Sequence, residues 1–186
     1  VRGFNSLGVM ASEPCRPFGL DRPGMNVGEA GAYLLLEREG TPRGWLRGVG
    51  ETSDAHHMSS PDPDGRGAIA AMEQALAQAG VDAQEVGYIH AHGTGTRHND
   101  TAEARAIVAT FGNDTPAVST KAYTGHTPRA SGAVAALFCL TPLEQVWYPA
   151  ALGARPTEGW IALHLLAARA QPRTTVQLRA PDAGRT

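Results

Sequence analysis

The stretch His90-Ala91-His92-Gly93-Thr94-Gly95-Thr96-Arg97-His98-Asn99-Asp100-Thr101-Ala102-Glu103 decides how the chain is read. The apolar run Val86 to Ala91 that leads into it reads as a buried strand. Residues 99–111 read as a helix with Ile107, Val108 and Phe111 on its core face, with Asn99 or Asp100 as N-cap and Glu103 close to the capping-box position. Between strand and helix lies a loop, and open α/β sheets place ligands at the carboxyl ends of their strands. Gly93 and Gly95 let that loop turn sharply and approach a ligand closely. Thr94 and Thr96 offer hydroxyls at alternate positions.

The same order recurs downstream. Pro116 to Thr120 reads as a short strand, and Ser119-Thr-Lys121-Ala-Tyr-Thr-Gly-His126 as its loop. A helix follows at 131–140, which Pro142 should end or kink. Upstream, Ile69, Met72, Leu76 and Ala79 recur at helical spacing over 67–79, closed by Gly80. Residues 30–37 read as a buried strand and 45–51 as another, joined by a Gly40-Thr-Pro-Arg-Gly44 turn. Residues 1–29 and 53–66 read as loops, and the polar tail after about 170 as frayed. Alternating strands and helices imply α/β units with largely parallel strands.

The 186 residues fit one domain or part of a larger one. Leu, Ile, Val and Phe supply only 34 residues, so Ala-rich helices and cores are expected. A formal net charge of −2 argues against a general nucleic-acid binder, which carries a basic footprint. No apolar run reaches the ~18–20 residues of a membrane span, and no signal peptide opens the chain. Cys15 and Cys139 make no disulfide framework, so a reducing, cytoplasmic setting is expected. Of the 16 basic residues only Lys121 is lysine. Either it is one surviving surface lysine, or a compact three-donor ammonium is needed there.

The ordered set of motifs resembles the β-ketoacyl-ACP synthases (ACP, acyl carrier protein) of the thiolase-like superfamily. The resemblance runs through Cys15-Arg-Pro-Phe18, Arg22-Pro-Gly-Met-Asn-Val-Gly-Glu-Ala-Gly31 and Ser53-Asp-Ala-His-His-Met-Ser-Ser-Pro-Asp-Pro-Asp-Gly65. It continues through His92-Gly-Thr-Gly-Thr96, Asn99-Asp100, Glu103, Ser119-Thr-Lys121 and Gly125-His126. The stretch around His92 looks closest to bacterial synthases of secondary metabolism, such as those of aryl-polyene pathways. The resemblance implies an α/β, thiolase-like fold, mainly the C-terminal half of the α-β-α-β-α layers. Residues 1–40 would close the N-terminal half, 41–170 would form the C-terminal domain, and 171–186 a divergent tail.

The resemblance also implies a chemistry: decarboxylative Claisen condensation of an acyl thioester with malonyl-ACP. His92 and His126 match the histidines that donate hydrogen bonds to the thioester oxygen as an enolate forms. Lys121 matches the lysine that orders the site, and Glu103 its carboxylate partner. Thr94 and Thr96 match the threonines that bind the pantetheine arm. The substrates ride on phosphopantetheine, with no separate cofactor and no metal. The implied partners are an acyl carrier protein and a second subunit, in a homodimer or heterodimer, with no nucleic acid or membrane.

The family's nucleophilic cysteine belongs upstream of Phe4. Cys15, between Pro14 and Arg16-Pro17, and Cys139, on an apolar helix face, read as structural thiols. The chain is therefore expected to be inactive alone, either as part of an enzyme or as a nucleophile-less partner subunit. A rival reading is a metal-dependent hydrolase with His90 and His92 as ligands, completed by His126 and Asp100. His90, His56, His57, His98 and His164 otherwise read as structural or surface residues, and Gly48-Val-Gly50 lacks the third glycine of a dinucleotide site.

Overall fold

A computed structural model describes residues 2–57, 59–145 and 149–150. The elements run α1 (Arg2–Ser6), α2 (Arg66–Ala79), a short 3-10 turn (Ala83–Glu85), β1 (Ile89–His90), α3 (Arg97–Phe111), β2 (Ala117–Val118), α4 (Lys121–Thr124) and α5 (Ser131–Gln145). The expected tail at 171–186 and His164 lie outside the described residues.

The two strands pair in parallel, Ile89 opposite Ala117 and His90 opposite Val118. The ladder extends through the Ile89 N–H to Pro116 O at 2.8 Å and the Ala91 N–H to Val118 O at 2.8 Å. Side chains alternate across a strand, and here each face finds a helical layer. Ile89, Ala91 and Ala117 join Phe18, Val86, Ala104 and Ile107 in one core, with Met72 and Leu76 of α2 and Phe111 of α3 against it. Tyr88, Val118 and Cys139 of α5 form the other. Ala104 and Ala106 are fully buried, the alanine-rich packing that the composition predicts. Helices on both sides of a parallel pair make an α/β arrangement.

α2 closes where expected: Gly80 takes a left-handed conformation, and its N–H and that of Val81 bond the carbonyls of Ala77 and Leu76. α3 starts two residues early. Thr96 is its N-cap, and Asp100 lies in its first turn rather than capping it. α5 runs to Gln145, so Pro142 does not end it. Proline removes one N–H from an established helix, and that single loss falls in the last turn.

Two expected strands are absent. The run at 30–37 is irregular and exposed, with Tyr33 at 99%, Leu35 at 83% and Leu36 at 72%. The run at 45–51 lies along α2 instead of pairing. Gln78 Oε1 accepts the Val49 N–H, Gln74 Oε1 the Glu51 N–H at 3.3 Å, and the Arg47 guanidinium donates to Ala79 O at 2.9 Å. Apolar content reports a preference for burial, whereas a strand also needs a neighbour to pair with, and the described residues supply none for these runs.

The N-terminal loop has a positioning role that its composition does not announce. The Gly24 N–H bonds Gly95 O at 3.1 Å, and the Gly28 N–H bonds His126 O at 2.9 Å. Val27 and His126 form a parallel bridge. Residues 24–28 therefore tie together the loops that follow β1 and β2.

Candidate active site

β1 and β2 are adjacent and parallel, so the loops after them open at the same end. His92 and His126 meet there, with ring centroids 5.1 Å apart and planes at 85°. Lys121, buried at the first residue of α4, donates to the His92 carbonyl and lies 3.4 Å from His92 Nδ1. An ammonium has only donors, so Nδ1 accepts and the proton of a neutral His92 sits on Nε2.

Glu103 reaches back from α3 to the loop. Its Oε1 accepts the His92 N–H at 2.6 Å, and its Oε2 the Gly93 N–H at 2.7 Å. No ion pair within 4.0 Å joins it to Lys121, the contact that the sequence suggests; the two act on the same histidine from opposite sides. Asp100 is buried and holds Phe18 N–H at 2.7 Å and Gly95 N–H at 3.1 Å, with Arg22 Nε 4.0 Å away. Arg22 also bonds Thr96 O, Arg97 O and Thr101 Oγ1. Arg22 and Asp100 thus clasp the N-terminal loop to the loop after β1.

Gly95 has no room for a side chain: at φ 78°, a Cβ would lie 2.5 Å from Cys15 Sγ and 2.7 Å from Gly24 O. Cys15 is packed beneath it, with its thiol 3.2 Å from Thr94 O and its N–H bonded to Asn26 Oδ1 at 2.7 Å. The hydroxyls of Thr94 and Thr96 bond each other at 2.8 Å. Thr94 is buried, so Thr96 is the one with surface left for a ligand. A cavity of about 620 Å³ adjoins His92, Asn99 and Glu103 on one side and Thr52, Asp54 and Met72 on the other.

Burial and charge set the protonation states. Burial, the Lys121 ammonium and then His126 push His92 down to about 4. The residue keeps solvent-exposed surface, and water tempers the burial contribution, so the adjoining ammonium weighs more than depth alone suggests. Burial and Lys121 also lower His126. Burial lowers Lys121 against the opposing pull of Glu103 and Asp100, and it raises both carboxyls. Burial, with Asp100, lifts the Cys15 thiol to about 11, and burial lifts Cys139 to about 12.

His90 stands apart from this group. Burial and Lys121 push it to about 4, its Nε2 lies 3.0 Å from Thr120 Oγ1, and its ring stacks on Phe138. Its ring therefore lies against α5. The described residues hold no group of three or more His, Cys, Asp or Glu placed to bind a metal ion, so His90, His92, His126 and Asp100 of the hydrolase reading are not gathered into one. His56 and His57 are exposed, as is His98. Arg22, Asn26 and Asp100 gain roles that the sequence reading did not assign, although each falls inside a quoted motif.

Lys121→Met is expected to raise the titration midpoint of His92 from about 4 toward the ordinary histidine value of about 6.5. Removing a positive neighbour favours the imidazolium. A folded-state value below the unfolded one means that the His92 and His90 contributions to stability are complete above about pH 6.5 and are lost as the pH falls through about 4. Ring titration followed by NMR checks the shift; an unchanged midpoint would remove Lys121 from the electrostatics of the site.

His92, His126 and Lys121 thus gather at one end of the parallel strand pair, and similarity to known proteins identifies the family. The family described as "Beta-ketoacyl synthase, C-terminal domain" matches residues 43–155. The chain belongs to the β-ketoacyl synthase family. It is 33% identical to 3-oxoacyl-[acyl-carrier-protein] synthase 2 of Mycobacterium leprae, an alignment covering 92% of this chain and 44% of that protein. It is 37% identical to the mitochondrial 3-oxoacyl-[acyl-carrier-protein] synthase of Arabidopsis thaliana, over 82% of this chain and 35% of that one. Among solved structures, the ketosynthase ApeO in complex with its chain length factor ApeC from Xenorhabdus doucetiae matches with a TM-score of 0.79 and 44% identity, over 97% of this chain and 43% of that chain. A β-ketoacyl synthase from Burkholderia phymatum matches with a TM-score of 0.77 and 29% identity, over 97% and 45%. The chain spans less than half the length of these relatives. Among the described residues no helix is long and apolar enough to cross a membrane.

Proposed function

We propose that this chain supplies the enolate-stabilising half of a β-ketoacyl-ACP synthase site, with 41–170 as the C-terminal unit and 1–40 as the end of the half before it. The observation that carries the reading is the His92–His126 pair, 5.1 Å apart, with Lys121 against His92 Nδ1. A malonyl thioester on the phosphopantetheine of an acyl carrier protein would place its carbonyl oxygen between the two rings. The bond to the carboxylate breaks, CO₂ leaves, and its electron pair becomes an enolate whose oxygen the two Nε2–H groups hold. Removing one such donor typically costs about 2.7–4 kcal/mol of transition-state stabilisation. The enolate carbon then attacks an acyl thioester, expelling a thiolate and leaving the ketoacyl product. Thr96, hydrogen-bonded to Thr94, would meet the pantetheine arm.

The acyl group needs a thiolate to carry it. Cys15 and Cys139 are buried, with thiols raised to about 11 and about 12. Neither fits that task, which favours a thiol from outside these two positions, or a partner-subunit role for the chain beside an intact synthase in a dimer.

The test incubates the chain with acyl- and malonyl-ACP, follows CO₂ release, and weighs the chain by mass spectrometry. The expected result is at most trace CO₂, which disappears in His126→Ala, no adduct on either cysteine and no ketoacyl product. CO₂ release indifferent to His126→Ala would overturn the histidine roles. An acyl adduct on Cys15 or Cys139 followed by product would overturn the assignment of the thiols.

A further inference from the structure

The ring nitrogens of His126 have different surroundings. A neutral imidazole carries one proton, and the nitrogen that meets a donor is the one left without it. At His92 the donor is Lys121. At His126 the neighbour of Nδ1 is Ser131 Oγ, 3.2 Å away. The backbone offers little on this side, because Thr127 is followed by Pro128, which has no N–H.

Ser131 Oγ has a single hydrogen and three neighbours: Thr127 O at 2.8 Å, His126 Nδ1 at 3.2 Å and Thr127 Oγ1 at 3.3 Å. The Thr127 carbonyl already accepts the N–H of Ala130 at 3.0 Å and of Ser131 at 2.8 Å. Those two donors occupy both of its lone pairs, so a third gains little. Thr127 Oγ1 belongs to a buried residue and can give its own proton to Ser131 Oγ. The arrangement that satisfies all three groups runs from the Thr127 hydroxyl to the Ser131 hydroxyl to Nδ1.

We infer that Ser131 is a positioning residue that holds His126 as its Nε2–H tautomer, through a hydroxyl relay from Thr127. Its place is rigid, since Ser131 opens α5 and its N–H is tied to Thr127 O. The inference deepens the proposed function and rests on it for its consequence: only the Nε2–H form of a neutral His126 offers a donor from that nitrogen to a substrate oxygen. If Ser131 instead spent its hydrogen on Thr127 O, Nδ1 would carry the proton and Nε2 would present a lone pair.

The test is long-range proton–nitrogen NMR of the full chain with nitrogen-15 histidine, near neutral pH, where burial and Lys121 favour the uncharged ring. The signals of His126 are those that vanish in His126→Gln. The expected result is a single Nε2–H signature in the natural chain, kept in Ser131→Thr. In Ser131→Ala that single signature is lost to exchanging tautomers, while the His92 signals stay in place. A purely structural serine would leave the tautomer unchanged. Nδ1–H in the natural chain, or one unchanged tautomer in a folded Ser131→Ala, overturns the inference. Should Ser131→Ala fail to fold, the natural chain and Ser131→Gly decide on the same criteria. The spectrum needs no substrate: CO₂ release indifferent to His126→Ala would sink the proposed function, and one unchanged tautomer in a folded Ser131→Ala the role of Ser131 alone.

Discussion

Asp100→Ala is expected to lower the unfolding free energy by about 3–5 kcal/mol, the usual cost of breaking a buried ion pair by removing one partner. Side-chain exposure is 1% for Asp100 and 8% for Arg22, so the guanidinium left behind would lose its carboxylate in a dry place. Two backbone donors would be orphaned with it, the N–H of Phe18 and that of Gly95. Phe18 adds a further cost. It holds a left-handed φ of 61°, unusual for a residue other than glycine, and its ring packs beneath Gly93 in the main core. The Asp100 carboxylate, 2.7 Å from the Phe18 N–H, pins that conformation. Asp100→Asn keeps one acceptor oxygen and should cost less than Asp100→Ala. Urea unfolding reads both, as a fall in midpoint at constant slope. An Asp100→Ala midpoint close to that of the natural chain would mean that the clasp does not hold the two loops together.

The legible parts of this molecule are those that local pattern sets. α2 and the body of α3 follow from apolar residues at helical spacing, and the Gly80 cap from a single residue type. The positions of His92, Lys121 and His126 are legible because they follow short apolar runs that do pair as strands, and two parallel strands open their loops on one side; their roles come from the family resemblance. The runs at 30–37 and 45–51 were misread for the complementary reason. Their apolar residues are genuine, but pairing depends on a neighbour, which a single run cannot report. Trp45 and Val49, in the second of these runs, are 47% and 52% exposed. The clasp was out of reach because Phe18 and Asp100 meet across a separation of 82 residues, with no periodicity to signal it. Ser131 was invisible for a subtler reason. It reads as an ordinary helix-start residue, and its contact with His126 depends on how the Thr127-Pro128 turn lays the helix against the ring.

Glu103 couples the fold to the chemistry most directly, and Glu103→Ala is expected to damage both. Its carboxylate takes the N–H groups of two consecutive residues, His92 and Gly93, at 2.6 and 2.7 Å. Hydrogen bonds to a charged group contribute about 1.5–3 kcal/mol each, so both bonds together outweigh any single surface contact in the chain. Their loss removes the N–H anchors of that backbone and leaves the His92 carbonyl held by Lys121 and Ser119. Misplacing a reacting group by about 1 Å can cost roughly 10²-fold in rate, enough to extinguish any trace CO₂ release by the natural chain. Burial raises the Glu103 carboxyl, and the two N–H groups oppose that rise. Glu103→Gln separates charge from shape. Its amide oxygen can replace Oε2, which also accepts from Asn99 at 3.3 Å, but its NH₂ then faces the His92 N–H donor to donor. The expected order of stability is therefore Glu, then Gln, then Ala, with the His92 backbone amide moving in the NMR spectrum of Glu103→Gln more than that of Gly93. If Gln and Ala were equally stable, or if Gly93 moved and His92 did not, the carboxylate would not be what fixes the loop after β1.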